Sequence, residues 1–96
     1  MPLIISRRIR TKLSGKAPPV TEDEIIQCFA NRIGVYLEDD REQHRSNPPT
    51  QWFIAQTDYG RNLKVVFIQE DTDIYIRTAY VPNDEELRIY EKYGIP

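Results

Sequence analysis

Three strand-like runs follow one another in the second half of the chain and restrict its fold more than any other feature of the sequence. Residues 51–57, 62–69 and 74–81 are rich in β-branched and aromatic side chains, which favour strands. The stretches between them, 58–61 and 70–73, are short and polar, as tight turns require. The spacing predicts an antiparallel meander of three strands.

Helical patterns lie before and after this meander, each preceded by a residue that caps a helix N-terminus. The caps and predicted helices are Ser6 with about 7–14, Thr21 with about 22–32, and Asn83 with a helix that ends at Gly94. A short strand is expected at 3–5 and another at 36–37. The pattern predicts an α+β fold: two N-terminal helices, a small antiparallel sheet of the meander plus the short N-terminal strand, and one C-terminal helix.

Alternation along the predicted strands assigns their side chains to two faces of the sheet. On the last strand, one set is Ile74, Ile76, Thr78 and Tyr80, and the other is Tyr75, Arg77, Ala79 and Val81. We expect the first two helices to cover one face. The other face is expected to be half open, with Tyr75 and Arg77 accessible to a ligand or a partner.

Length and composition limit the class of protein. A chain of 96 residues makes one domain, 1–96, with one core. The N-terminus lacks the long apolar stretch of a signal peptide, and no apolar run is long enough to cross a membrane, so the chain is expected to be cytoplasmic with no membrane partner. The single cysteine forms no intramolecular disulfide, and no cofactor is expected.

Charge is unevenly distributed along the chain, although its net value is only −2. Residues 1–20 carry five basic side chains and no acidic one, whereas residues 21–49 carry seven acids against three arginines. A basic arm on an acidic body is able to contact phosphate groups. The acidic stretch 38–42 is interpreted as a solvated turn, so no metal site is predicted.

Two motifs connect the chain to a known family. Residues 60–66 match the pattern Gly-Arg-x-Leu-x-Val-Val, and residues 86–91 match Glu-x-Arg-x-Tyr-Glu. With Asp40, His44 and the strand 74–79, they resemble the BrnT-type toxins of the RelE-like group of small bacterial ribonucleases. The resemblance runs from about residue 16 to residue 93. It implies a RelE-like fold, a type II toxin–antitoxin pair and a cognate antitoxin as partner.

The resemblance leads to a first hypothesis, a metal-independent endoribonuclease. Cleavage needs a base, an acid and a cation at the phosphate. His44 is the candidate base or acid, Arg61 and Arg77 would clamp the phosphate, and Tyr80 would donate a proton or orient the substrate. The residues expected to contact RNA are Lys16, Trp52, Lys64 and Tyr75. For Trp52, an anchor at the edge of the core is the alternative to stacking on a base.

Three departures from the family pattern lead to a second hypothesis. The family has arginine at the position of Tyr80, glutamate at that of Ser46, and basic residues in the last helix where this chain has residues 84–86. Each change removes positive charge or a catalytic group from the face where RNA would lie. The alternative is therefore a catalytically inactive RelE-like binding module that works through a protein partner or as a homodimer.

Overall fold

Three helices and five strands make up residues 2–39 and 48–96, the part of the chain that the computed structural model describes. In chain order they are β1 (Leu3–Ile4), α1 (Arg7–Ser14), α2 (Glu22–Asn31), β2 (Leu37–Glu38), β3 (Thr50–Gln56), β4 (Asn62–Glu70), β5 (Asp73–Tyr80) and α3 (Asp84–Tyr93). The α+β class and the three predicted helices are confirmed. Their bounds follow the capping residues, since Ser6, Thr21 and Asn83 each accept a hydrogen bond from a backbone N–H of the first turn.

The sheet has the order β1-β5-β4-β3-β2. Its three long strands form the predicted antiparallel meander. The expectation of a purely antiparallel sheet is wrong, because β1 lies parallel to β5, with Ile4 opposite Tyr75. The sheet of the described residues also has one strand more than predicted: the short strand expected at 36–37 forms as β2 and joins the sheet by pairing Leu37 with Trp52 at the opposite edge. The sheet is therefore mixed.

A β-bulge in β5 changes which residues share a face. The register runs from Val66 opposite Thr78 directly to Phe67 opposite Ile76, so Arg77 is the extra residue of the bulge. Directly paired residues point to the same side of a sheet. Ala79 therefore lies with Ile76, and Thr78 lies with Tyr75. Beyond Ile76 the predicted assignment of side chains to the two faces is wrong, because the extra residue moves each later side chain to the opposite face.

The first face of the sheet carries Phe53, Leu63, Val65 and Phe67 and is covered by α1 and α2, as predicted. Phe29 of α2 lies between Phe53 and Phe67, with ring centroids 4.7 and 5.5 Å away. The helix α1 packs against β5 and is joined to α2 by an ion pair, in which Arg10 lies 2.6 Å from Glu22. These aromatic and aliphatic side chains form the main core.

The second face carries Trp52, Ile54, Lys64 and Tyr80, and part of it is covered by α3. The ring of Tyr90 on α3 lies 5.7 Å from that of Trp52, and both Trp52 and Ile54 are buried. Tyr75 belongs to the same face but keeps 36% of its surface exposed. The second face, which was expected to be half open, is therefore covered by α3 along β3. No helix among the described residues is long and apolar enough to cross a membrane.

Candidate functional site

A cleft of about 700 Å³ opens between α3 and the β2-β3-β4 side of the second face. Apolar and aromatic side chains form part of its lining, from Leu37, Trp52, Ile89 and Tyr93. Its charged lining residues are Glu38, Asp39, Lys64, Glu85 and Glu86. Among the described lining residues, carboxylates therefore outnumber ammonium groups, and the exposed ones are Glu38 and Glu85. Below, this site is called the acidic cleft.

The capping box of α3 positions Glu86 in the acidic cleft. Asn83 Oδ1 accepts a hydrogen bond of 2.8 Å from the backbone N–H of Glu86, and Glu86 Oε1 accepts one of 3.0 Å from the backbone N–H of Asn83. This reciprocal arrangement fixes one carboxylate oxygen at the start of the helix. The second oxygen, Oε2, is directed toward the sheet.

A polar cluster joins that second oxygen to β4 and β5. Lys64 Nζ lies 2.8 Å from Glu86 Oε2, and the Tyr80 hydroxyl donates to the same oxygen at 2.6 Å. Lys64 Nζ also lies 4.3 Å from the centroid of the Trp52 ring, within range of a cation–π interaction. Both members of the ion pair are largely shielded, with 13% and 17% of their side-chain surfaces exposed. Lys64 and Tyr80 are thus already bound within the protein.

Opposing effects within this cluster determine the pKa of Glu86. Burial by itself would raise that pKa, but hydrogen bonds from Lys64, Tyr80 and the backbone of Asn83, together with the charge of Lys64, lower it below the usual value for glutamate. Glu86 therefore stays ionised at neutral pH and holds Lys64 in place. Chemically, the cluster is a fixed ion pair at one end of the acidic cleft.

Half of the residues predicted to act in catalysis or RNA binding come together near this cluster. Trp52, Lys64 and Tyr80 belong to it, and Lys16 Nζ lies 5.7 Å from the Tyr80 ring, the same distance as Lys64 Nζ. The other described candidates lie apart: Tyr75 pairs with Ile68 on β4, and Arg77 is exposed in the bulge. His44 lies outside the described residues.

Arg61 was predicted to clamp a phosphate, but its guanidinium is already bound by other groups of the protein. Its guanidinium donates to the carbonyl oxygens of Pro18 and Pro19 at 3.1 and 2.9 Å and to the carboxylate of Glu24 at 3.1 and 3.2 Å. Those acceptors tie the β3–β4 turn to the start of α2. The guanidinium thus has a structural set of partners on the first face, away from the acidic cleft.

Sequence reasoning did not select the carboxylates of the cleft as site residues. The spacing of Asn83 and Glu86 identified the helix cap, and that cap is present, but it gives no sign that the second carboxylate oxygen meets Lys64. Among residues 2–39 and 48–96, no group of three or more histidine, cysteine, aspartate or glutamate side chains is arranged to hold a metal ion.

Comparisons with known proteins do not assign this site. No protein family matches the chain. No curated protein matches it, and no solved structure does. A function has to be inferred from the geometry and charge of the acidic cleft.

Proposed function

We propose that this chain is a protein-binding module whose acidic cleft takes a cationic segment of a partner. The observation that carries the proposal is that two exposed carboxylates, Glu38 and Glu85, line this cleft together with the exposed ring of Tyr93. Carboxylates bind guanidinium and ammonium groups, and aromatic rings add cation–π attraction to the same groups. Leu37 and Ile89 supply apolar surface for the aliphatic part of an arginine or lysine side chain.

The same charges disfavour RNA in the cleft. Phosphodiesters are anionic, so they are repelled by the carboxylates that line it. Lys64, the cation in the lining, is already paired with Glu86, and Tyr80 donates to the same carboxylate. Moving either group to a phosphate would leave Glu86 shielded from water and without its partner, which is costly.

The ribonuclease hypothesis remains the alternative, and the structure gives it less support. Of its proposed phosphate clamps, Arg61 is held by Glu24 and two carbonyl oxygens, which leaves Arg77 as the exposed one among the described residues. We also propose, on the motifs alone, that the fold is RelE-like, that the chain is related to BrnT-type toxins, and that it works in the cytoplasm. A cognate antitoxin would then be one partner able to supply the cationic segment.

A binding experiment separates the two functions. We expect a short fluorescent oligoarginine peptide to raise its anisotropy with the full chain, and an oligoglutamate peptide of equal length to give no change. The double variant Glu38→Arg, Glu85→Arg should weaken peptide binding about tenfold or more, because it places like charges opposite the peptide. The variant Glu91→Arg, on an exposed position of α3 outside the cleft lining, is the matched control and should bind as wild type does.

An RNA assay completes the test. We expect no cleavage of a single-stranded RNA oligonucleotide by the purified chain in the presence of a metal chelator. The proposal would be wrong if the chain cleaved RNA, if this cleavage disappeared in His44→Ala, and if the oligoarginine peptide did not bind. The ribonuclease hypothesis would then take its place.

A further inference from the structure

The chain itself carries an exposed cationic surface of the kind that the acidic cleft accepts. We infer that a second copy of this chain is an occupant of the acidic cleft and docks there through Arg7, Arg8 and Arg77. This inference rests on the proposed function, because it names the partner of the same cleft. The three arginines are called the basic edge.

The register of β1 brings the basic edge together. β1 runs parallel to β5 with Ile4 opposite Tyr75, two residues before Arg77, and α1 packs against β5. The helix α1 begins at Arg7, three residues after Ile4. The basic edge is therefore formed where α1 starts beside the bulge of β5, although Arg77 is distant from the other two arginines in the sequence.

All three side chains of the basic edge are exposed. Within residues 2–39 and 48–96, none of them forms an ion pair or donates a side-chain hydrogen bond. Arg10, the next arginine of α1, differs because it is paired with Glu22. The basic edge is therefore open to carboxylates from outside the molecule.

The position of Arg7 and Arg8 is unfavourable for the isolated molecule. The first turn of α1 contains no acidic residue, and the positive end of the helix dipole repels cations there. Carboxylates brought to this position relieve that repulsion. The acidic cleft supplies Glu38 and Glu85, both exposed, for which bidentate pairing with a guanidinium is the preferred geometry.

The sheet order keeps Arg7 and Arg8 away from Glu38 of the same copy. They follow β1, at one side of the five-stranded sheet, whereas β2, with Leu37 and Glu38, lines the acidic cleft at the other side. Five strands separate their outermost members by roughly 19 Å, since neighbouring strands lie about 4.8 Å apart. The contact therefore joins unlike surfaces of two molecules, and its repetition extends an assembly head to tail.

Sedimentation velocity of the full chain tests this inference. We expect the average mass to rise with protein concentration at low ionic strength and to return to the monomer as salt is added, because exposed charges are screened. Two double variants, Arg7→Glu with Arg8→Glu and Glu38→Arg with Glu85→Arg, should each be monomeric on their own. Circular dichroism checks that both stay folded, and Arg88→Glu and Glu91→Arg are single-charge controls that should still assemble.

Mixing the two double variants gives the sharpest result. Each retains the surface that the other lacks, and their two reversed surfaces are also opposite in charge, so an equimolar mixture should associate although neither variant does so alone. A wild-type chain that stays monomeric at low ionic strength would overturn the inference. So would a mixture that fails to associate, or double variants that assemble as well as wild type.

The outcome is separable from that of the proposed function. If the oligoarginine peptide binds the acidic cleft but the wild-type chain stays monomeric, the proposed function stands and the second copy is excluded as its partner. If neither peptide binding nor self-association occurs, both fail. Where both occur, the peptide should dissociate the assembly by occupying the same cleft.

Discussion

Two arginines on the meander have opposite surroundings, although both were candidates for the same chemistry. Arg61 follows the β3–β4 turn and has about one fifth of its side chain exposed, with acceptors from two prolines and Glu24. Arg77 is exposed in the β5 bulge. Both are arginines of the meander, so partners far away in the sequence decide what each guanidinium does.

Replacing each of these arginines in turn should show which of them stabilises the fold. Arg61→Ala is expected to lower the free energy of unfolding by about 1–3 kcal/mol, because charged hydrogen bonds are lost and Glu24 and two carbonyl groups lose a donor. Arg77→Ala should change it by less than about 0.5 kcal/mol, as exposed substitutions usually do. Urea unfolding followed by circular dichroism measures both. Equal losses in the two variants would contradict the structural role of Arg61.

Glu86 gives a second residue-scale prediction, which concerns pH. Its pKa is lower in the folded chain than in the unfolded one, so it stabilises the fold above the ordinary glutamate pKa of about 4.3. That contribution is lost as the pH falls from there through the lower folded value. Urea unfolding between neutral and acidic pH should therefore show a smaller acid-induced loss for Glu86→Gln than for wild type. The exposed glutamate variant Glu91→Gln is the control and should follow wild type.

At the scale of elements, the docking of α3 determines whether a cleft exists. Tyr90 is buried against Trp52, and its hydroxyl donates to the carbonyl oxygen of Val35 at 2.8 Å. The segment before β2 meets the end of the helix, where the N–H of Val35 donates to Gly94 at 2.8 Å. These contacts hold α3 over one half of the second face and leave the acidic cleft beside it.

Gly34 lies in close contact with the end of α3. A Cβ atom there would lie 2.5 Å from the carbonyl oxygen of Gly94 and 2.6 Å from the Tyr90 hydroxyl, so Gly34→Ala must push α3 outward. We expect a loss of about 1–3 kcal/mol in unfolding free energy, the usual range for overpacking. A shift in the fluorescence of Trp52 should accompany it. Gly15→Ala is the control, since its Cβ would come no closer than 3.5 Å to other atoms and should leave stability nearly unchanged.

At the scale of the whole molecule, one core is shared by all the long elements. Ile9 and Leu13 of α1, Ile25 and Cys28 of α2, and the buried residues of the three long strands belong to a single cluster that also includes Tyr90 of α3. The loss of one element therefore exposes the surface on which the others pack. We expect the chain to unfold in a single cooperative transition, as small one-core domains do.

The reactivity of the Cys28 thiol is a direct measure of that unfolding transition. The thiol is fully buried beside the carbonyl oxygen of Ala55, and burial, the largest influence, raises its pKa to about 11. The native chain should therefore react very slowly with a thiol reagent at mildly alkaline pH, because reaction needs an exposed thiolate. The labelling rate should rise with urea in step with unfolding measured by circular dichroism. Rapid labelling without urea would show that α2 opens separately from the sheet.

The sequence by itself determined the elements of this protein, and tertiary structure decided how their surfaces are used. Caps at Ser6, Thr21 and Asn83 and the runs of strand-forming residues act over a few positions, so they are readable along the chain. The parallel pairing of β1 with β5 and the approach of Glu86 to Lys64 join segments far apart in the sequence, and the bulge at Arg77 depends on how β5 pairs with β4. No local pattern specifies such pairings, because their free energy comes from burial and hydrogen bonds that exist only once the chain is packed.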